Sequence, residues 1–200
     1  MRHKMNTGTL ASCFLGTPVY PIGCESTWLW PTILQDTVSA NLYDWLVDIG
    51  SLTARLKQHC REFTVQVLIE GTYPLSDDEQ AKLNLTETRG FVREVLLLLD
   101  GVPWVFARTI MPLTTLTGAG ERLAQLGNQP LGAVLFNAPN MQRSAIEIAE
   151  FGKGNKLHEL THTLASTWQG SLFGRRSCFL LDGKSLLVSE VFLPDAIAYK

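Results

Sequence analysis

Two stretches of the chain run apolar on either side of the same two-residue break. FVREVLLLLDGVPWVFARTIMP (91–112) turns at Asp100-Gly101, and GRRSCFLLDGKSLLVSEVFLP (174–194) at Asp182-Gly183. Asp-Gly between apolar arms favours a two-residue hairpin turn, because both turn positions need positive φ. Aligned on LLDG, Arg93 falls on Arg175, Arg108 on Glu190 and Pro112 on Pro194, as an internal repeat or as two hairpins with similar demands. FTVQVLIE (63–70) alternates and is β-branched, which predicts a further strand.

Other segments carry the helical period. In NLYDWLVDIGSLTARLKQ (41–58), Leu42, Trp45, Leu46, Ile49, Leu52 and Leu56 form one apolar stripe, interrupted by Gly50-Ser51 where two helices could meet at a bend. Ser76-Asp77-Asp78-Glu79 has capping-box spacing and predicts a short helix. GERLAQLG (120–127) reads as helix with Gly127 as its stop, and Pro130-Leu131-Gly132 opens another with Pro at the first position. Residues 141–149 suit strand or helix equally; FGKGNK is a loop, followed by a helix over 156–168. The expected fold is α+β: a single antiparallel sheet built from hairpins, with helices against it.

Length and composition add limits. Two hundred residues suit one domain, with 1–40, rich in Thr, Ser, Pro and Gly and without period, as a partly docked N-terminal extension to a domain over 41–200. A net charge of −2 gives no footprint for nucleic acid, and no apolar run has membrane-spanning length. Cys13, Cys24, Cys60 and Cys178 are scattered, which suits free thiols in a cytoplasmic protein.

Register suggests where chemistry lies. A two-residue turn at Asp100-Gly101 sets Arg93 opposite Arg108, and like charges facing each other on a sheet are destabilising unless a carboxylate lies between them. The bland alternative is that one arginine leans out along its stem. The same count sets Arg175 opposite Glu190, which shares a face with Leu186, Val188 and Phe192. Glu190 is then either half of an ion pair or a buried acid that hydrogen-bonds a ligand. The helix start at Pro130-Leu131 offers backbone N–H groups to an anion. Together these features imply a small anionic ligand with a polar group at its far end.

His158-Glu159-Leu160-Thr161-His162 fits the H-E-x-x-H pattern of zinc proteases, with both imidazoles on one helix face and Glu159 as base. A third ligand is missing. Ala165 and Trp168 stand where a further Gly and His would be needed, and the only later glutamate, Glu190, is on a predicted strand. No bound metal is expected, and a zinc protease is a remote alternative.

The blocks REVLLLLDGVPWVFARTIMPLTTL, LGNQPLGAVLF and GRRSCFLLDGKSLLVSEVFLP, with a weaker YDWLVDIGSLTARL, resemble the chorismate pyruvate-lyase family in co-linear order. The resemblance implies an α+β domain whose helices cover a buried ligand. It also implies elimination of pyruvate from chorismate to leave 4-hydroxybenzoate for ubiquinone synthesis, with no metal or organic cofactor. It carries the family's binding arginine onto Arg93, its acidic residue onto Glu190 and the leucine of P-L-G onto Leu131. A fourth binding position, usually methionine, is Leu52 here. Arg93 and Glu190 are then the catalytic candidates, Leu52 and Leu131 substrate contacts, and Arg108 a possible secondary anion contact. The expected partners are chorismate and 4-hydroxybenzoate, and the expected state is a monomer. Residues 1–40 have no counterpart, and the segment around 150–173, which carries the two histidines, is an insertion. Effector domains of one class of bacterial transcription regulators resemble the same fold, so a non-enzymatic carboxylate sensor is the alternative. Those domains follow a helix-turn-helix domain, which 1–40 cannot encode.

Overall fold

Both Asp-Gly pairs turn the chain as expected, with φ of 50° and 82° at Asp100-Gly101 and 49° and 77° at Asp182-Gly183. The computed structural model describes residues 20–164 and 167–200; residues 1–19 of the expected extension, and Ala165, lie outside the described residues. The strands are β1 (Phe63–Pro74), β2 (Arg89–Leu99), β3 (Val102–Met111), β4 (Gln142–Arg143), β5 (Glu147–Phe151), β6 (Leu172–Leu181) and β7 (Lys184–Phe192). They form one antiparallel sheet in the order β1-β2-β3-β7-β6, with β4 and β5 both paired to the outer edge of β6. The two hairpins therefore meet through β3 and β7 at the centre of the sheet. The helices are α1 (Pro31–Leu34), α2 (Ala40–Val47), α3 (Leu52–Lys57), α4 (Asp77–Leu83), α5 (Leu131–Asn137) and α6 (Lys156–Thr163). The fold is α+β, as the periodicities imply.

Both faces of the sheet are covered, which explains why β2 reads as an unbroken apolar run rather than alternating. On one face, Leu42, Trp45 and Leu46 of α2 and Leu52 and Leu56 of α3 pack on Val95, Leu97 and Phe192. Further along the same face, Leu131 and Leu135 of α5 pack on Met111, Phe179 and Leu186. The opposite face carries Ile22 and Cys24 from the N-terminal segment, with Leu157 and Leu160 of α6, on Leu96, Phe106 and Val191. Leu75 and Leu83 complete that layer over Val92, Ile110 and Leu187.

Several local expectations change. The stripe over 41–58 is two helices, capped by Ser39 and Ser51, whose hydroxyls accept from Leu42 and Ala54 N–H. Ile49 sits in the turn between them and is 79% exposed rather than on the buried stripe. The capping box at Ser76 and Glu79 forms. GERLAQLG is 3-10 helix within Gly118–Gln125, and Pro130 is the N-cap of α5 rather than its first residue. The ambiguous 141–149 stretch yields β4 and the start of β5. α6 ends at Thr163, short of 168.

The largest correction concerns register. Leu97 faces Val105 but Leu98 faces Pro103, so Trp104 is an extra residue in β3. Pro103 has no N–H to give the ladder, and a β-bulge absorbs the mismatch. Beyond the bulge every pair shifts by one, so Arg93 faces Thr109 and Glu94 faces Arg108. The expected like-charge pair Arg93–Arg108 does not exist. The β6–β7 hairpin has no bulge, and there Arg175 faces Glu190 as expected.

Candidate functional site

On the face covered by α2, α3 and α5, the two apolar clusters leave a cavity with about 550 Å³ of empty space, mouth included. Its floor is the sheet: Arg93 and Val95 from β2, Thr109 from β3, Val188 and Glu190 from β7, and Arg175 from β6. Leu52 and Thr53 at the start of α3, and Leu131 and Gly132 at the start of α5, form its roof. Arg143 of β4 closes one side. Leu52, Arg93, Leu131 and Glu190, which arise from four different elements, are thus brought together.

Arg93 is 2% exposed, so its guanidinium must find acceptors inside the protein. Nε donates to Oε2 of Glu70, its cross-strand neighbour on β1, at 3.0 Å. Nη2 donates to the carbonyls of Gly127 and Gln129, tying the arginine to the loop before α5. Nη1 makes no hydrogen bond among the described residues and is left for the cavity. Burial lowers the Arg93 pKa, and Glu70 only partly offsets this. The site therefore holds a cation that a further anion would stabilise.

At the other end, Arg175 Nε donates to Oε2 of Glu190 at 2.8 Å, and Nη1 to the carbonyls of Trp45 and Asp48 at 3.0 and 2.7 Å. These are carbonyls at the C-terminal end of α2, which a helix leaves unpaired. Glu190 keeps Oε1 without a donor among the described residues. A carboxylate fixed through one oxygen, with the other facing a cavity, can accept from a ligand hydroxyl.

The roof offers main-chain donors. Leu52 and Leu131 are the first residues of α3 and α5, and first-turn N–H groups have no intrahelical acceptor. Gly132 brings the two helix starts together, since a Cβ there would lie 2.9 Å from Thr53 Oγ1. The cavity thus sets a cation and first-turn N–H groups against a carboxylate, an arrangement that suits a ligand with a carboxylate at one end and a hydroxyl or ether at the other.

Comparison with known proteins gives this arrangement a family. The chorismate lyase family model matches residues 23–200. The chain belongs to the chorismate lyase family. Probable chorismate pyruvate-lyases of Shewanella amazonensis and Psychromonas ingrahamii are 44% and 42% identical to it, each over 90% of this chain and 94% and 97% of their own. Among solved structures, a GntR-family transcriptional regulator from Bacillus cereus matches with a TM-score of 0.52 at 12% identity, covering 70% of this chain and 96% of its own. The effector domain of PhnF from Mycobacterium smegmatis matches at 0.51 and 14%, covering 74% and 91%. At such identities these two neighbours share the fold alone.

Three residues singled out in the sequence lie away from this cavity. Arg108 points to the opposite face, because the bulge pairs it with Glu94. There Nε and Nη2 bind Glu79 at 2.7 and 3.1 Å, and Nη1 binds Glu94 at 2.8 Å. It does not line the cavity with Arg93. His158 and His162 are also on the opposite face, on α6. His158 is buried, with Nε2 3.1 Å from the Gly170 carbonyl; that oxygen only accepts, so Nε2 carries the proton and donates. Glu159 and His162 are exposed. His158 serves packing and a loop contact, His162 lies against it on the exposed side with ring centroids 5.4 Å apart, and the H-E-x-x-H spacing follows from an amphipathic helix.

Arg143 and Thr109 line the cavity and were not among the sequence candidates. Thr109 was hidden by the bulge. Arg143 had one signal, as the only charged residue between Arg122 and Glu147.

Proposed function

We propose that this protein eliminates pyruvate from chorismate to give 4-hydroxybenzoate, the ring precursor for ubiquinone. The observation that carries the reading is that Arg93, Glu190, Leu52 and Leu131 line one cavity, with an open guanidinium edge at one end and an open carboxylate oxygen at the other. The Nη1 edge of Arg93, helped by N–H groups at Leu131 and Leu52, holds the ring carboxylate. Glu190 faces the ring hydroxyl and the neighbouring carbon that bears the enolpyruvyl ether.

In the reaction the ether C–O bond breaks, the ring loses the hydrogen from the hydroxyl-bearing carbon, and the enolpyruvyl methylene gains a proton to become the methyl of pyruvate. Atoms balance with no oxidant or added water. Aromatisation supplies the driving force, so the protein's task is to orient the ring and assist proton movement, and no metal or organic cofactor is required. Among the described residues no helix is long and apolar enough to cross a membrane, and Cys24, Cys60 and Cys178 are unpaired. The unpaired thiols fit a reducing compartment, and we assign the reaction to the cytoplasm and to the monomer.

The test is chorismate turnover, read as pyruvate and 4-hydroxybenzoate, by the parent protein and by soluble, folded Arg93→Ala and Glu190→Gln. Arg93→Ala is expected to lower kcat/KM by roughly a hundredfold or more, because a desolvated carboxylate loses its charged partner. Glu190→Gln is expected to lower kcat by a similar factor. Near-parental product formation by both variants would remove the site assignment. Binding of chorismate without turnover by the parent would favour a sensor of the same fold.

A further inference from the structure

We propose that Arg143 binds the second anionic group of the substrate, the carboxylate of the three-carbon unit that is eliminated. This rests on the chorismate lyase reading and extends it to a residue outside the four expected contacts.

The cavity holds three guanidinium groups, and they are not equivalently neutralised. Arg93 has Glu70 and Arg175 has Glu190. Arg143 has no carboxylate partner among the described residues. Its Nε donates to Ser177 Oγ at 3.1 Å, and its Nη1 to the carbonyls of Ile49 and Gly50 at 2.9 and 3.4 Å. The Asp48 carboxylate nearby is already committed, to Arg55 at 2.9 Å and to the Gly50 N–H at 2.7 Å. The Phe179 ring lies 5.2 Å from the Arg143 guanidinium and supports it. A cation held in place by neutral groups alone, at the wall of a ligand cavity, is arranged for an anion from outside the protein.

Position decides which anion. The charges acting on Arg143 are those of Arg175, Glu190 and Asp48, so it stands at the Glu190 end of the cavity. Burial, and then the charge of Arg175, lower its pKa, an unfavourable setting that a bound carboxylate would relieve. With the ring carboxylate on Arg93 and the ring hydroxyl at Glu190, the enolpyruvyl ether on the adjacent ring carbon carries its carboxylate at that same end. Arg143 then separates the dianionic substrate from the monoanionic aromatic product, which has no second carboxylate.

The experiment compares the parent with Arg143→Gln and Arg143→Lys for chorismate kinetics and for 4-hydroxybenzoate binding by calorimetry. For Arg143→Gln we expect KM for chorismate to rise roughly tenfold to a hundredfold. Its affinity for 4-hydroxybenzoate should stay within about twofold of the parent, as expected when no contact to that ligand is lost. Arg143→Lys should recover part of the loss in KM, since charge is restored without the planar fork. Unchanged KM in an Arg143→Gln protein whose parent turns over chorismate would overturn the inference alone. Equal weakening of 4-hydroxybenzoate would also overturn it, assigning Arg143 to holding the Ile49–Gly50 turn. A parent that leaves chorismate intact would overturn the functional reading, and this inference with it.

Discussion

The two faces of one sheet bury arginines at the same level and use them differently. On the face under α4 and α6, directly opposed residues form a polar row across five strands: Glu94, Arg108, Ser189, Arg176 and Glu147. α4 adds Asp78 and Glu79, so Arg108 meets two carboxylates and Arg176 meets Glu147 and Asp78, with its guanidinium 4.6 Å from the Trp28 ring. On the cavity face, among the described residues, Arg93 and Arg175 each meet one carboxylate and Arg143 meets none. The pKa directions separate the faces. Burial pulls Arg108 down, but Glu79 and Glu94 outweigh it and leave it raised, whereas burial leaves Arg93 and Arg143 lowered. The far face closes its charges into networks that tie the layers together, whereas the cavity face leaves Arg93 and Arg143 under-neutralised, as the proposed ligand site requires.

The sharpest way to break that contrast is Arg108→Met. It strands Glu94, which is 0% exposed and also accepts from the N–H groups of Ile22 and Gly23 at 2.9 and 2.8 Å. Removing one partner of such a pair is expected to cost about 3–5 kcal/mol, measured by urea denaturation. A loss below about 1 kcal/mol, the scale of an exposed pair, would show that the row is not a structural device.

Arg93→Ala gives the matched change on the cavity face. The Glu70 it leaves behind has a side chain 25% exposed, so water can solvate it. The expected stability loss is about 1–2 kcal/mol, well under that of Arg108→Met, while kcat/KM falls far more than for any far-face change. Equal stability losses for the two variants would erase the distinction between the faces.

Acid titration probes the far row more gently. Burial pushes the Glu147 carboxyl up, but Lys82 and Arg176 outweigh it and hold it below its ordinary value near 4.5. A carboxyl with a depressed folded pKa contributes stability that is fully present above its unfolded value and is lost as pH falls through the folded one. Glu147→Gln should therefore be less stable than the parent at neutral pH, and the gap should narrow below about pH 4.5, in thermal melts across that range. A gap independent of pH would assign the difference to packing alone.

What the chain disclosed in advance follows from these same physical terms. The hairpins were legible because Asp-Gly is one of few pairs that tolerate two positive φ values, and the helices because caps, a proline start and an apolar stripe mark them even though each is short. Arg175 opposite Glu190 followed from counting, since nothing interrupts that ladder. The same count failed for Arg93 and Arg108, because one proline shifted a strand by one residue and sent Arg108 to the other face. Arg143 stayed hidden because two residues of strand carry too little period to predict. The family resemblance named four cavity contacts, yet it did not say that Arg143 would stand beside them without a carboxylate.

The smallest predicted effect tests how finely the cavity roof is set. Gly132→Ala adds a methyl 2.9 Å from Thr53 Oγ1, so the Thr53 side chain must turn or the two helix starts must part. Overpacking costs about 1 kcal/mol at the mild end, and replacing a helical glycine by alanine contributes about 0.5–1 kcal/mol in the opposite direction. Stability should therefore hardly move. The N–H groups at Leu131 and Leu52 would still be displaced relative to Arg93, so KM for chorismate should rise a few-fold, roughly 1 kcal/mol of lost binding. Adding Thr53→Ala removes the obstructing hydroxyl and should restore KM. If KM is unchanged in Gly132→Ala, or if Thr53→Ala fails to restore it, the close approach of α3 and α5 does not set the roof, and the cavity face owes its ligand geometry to its arginines alone.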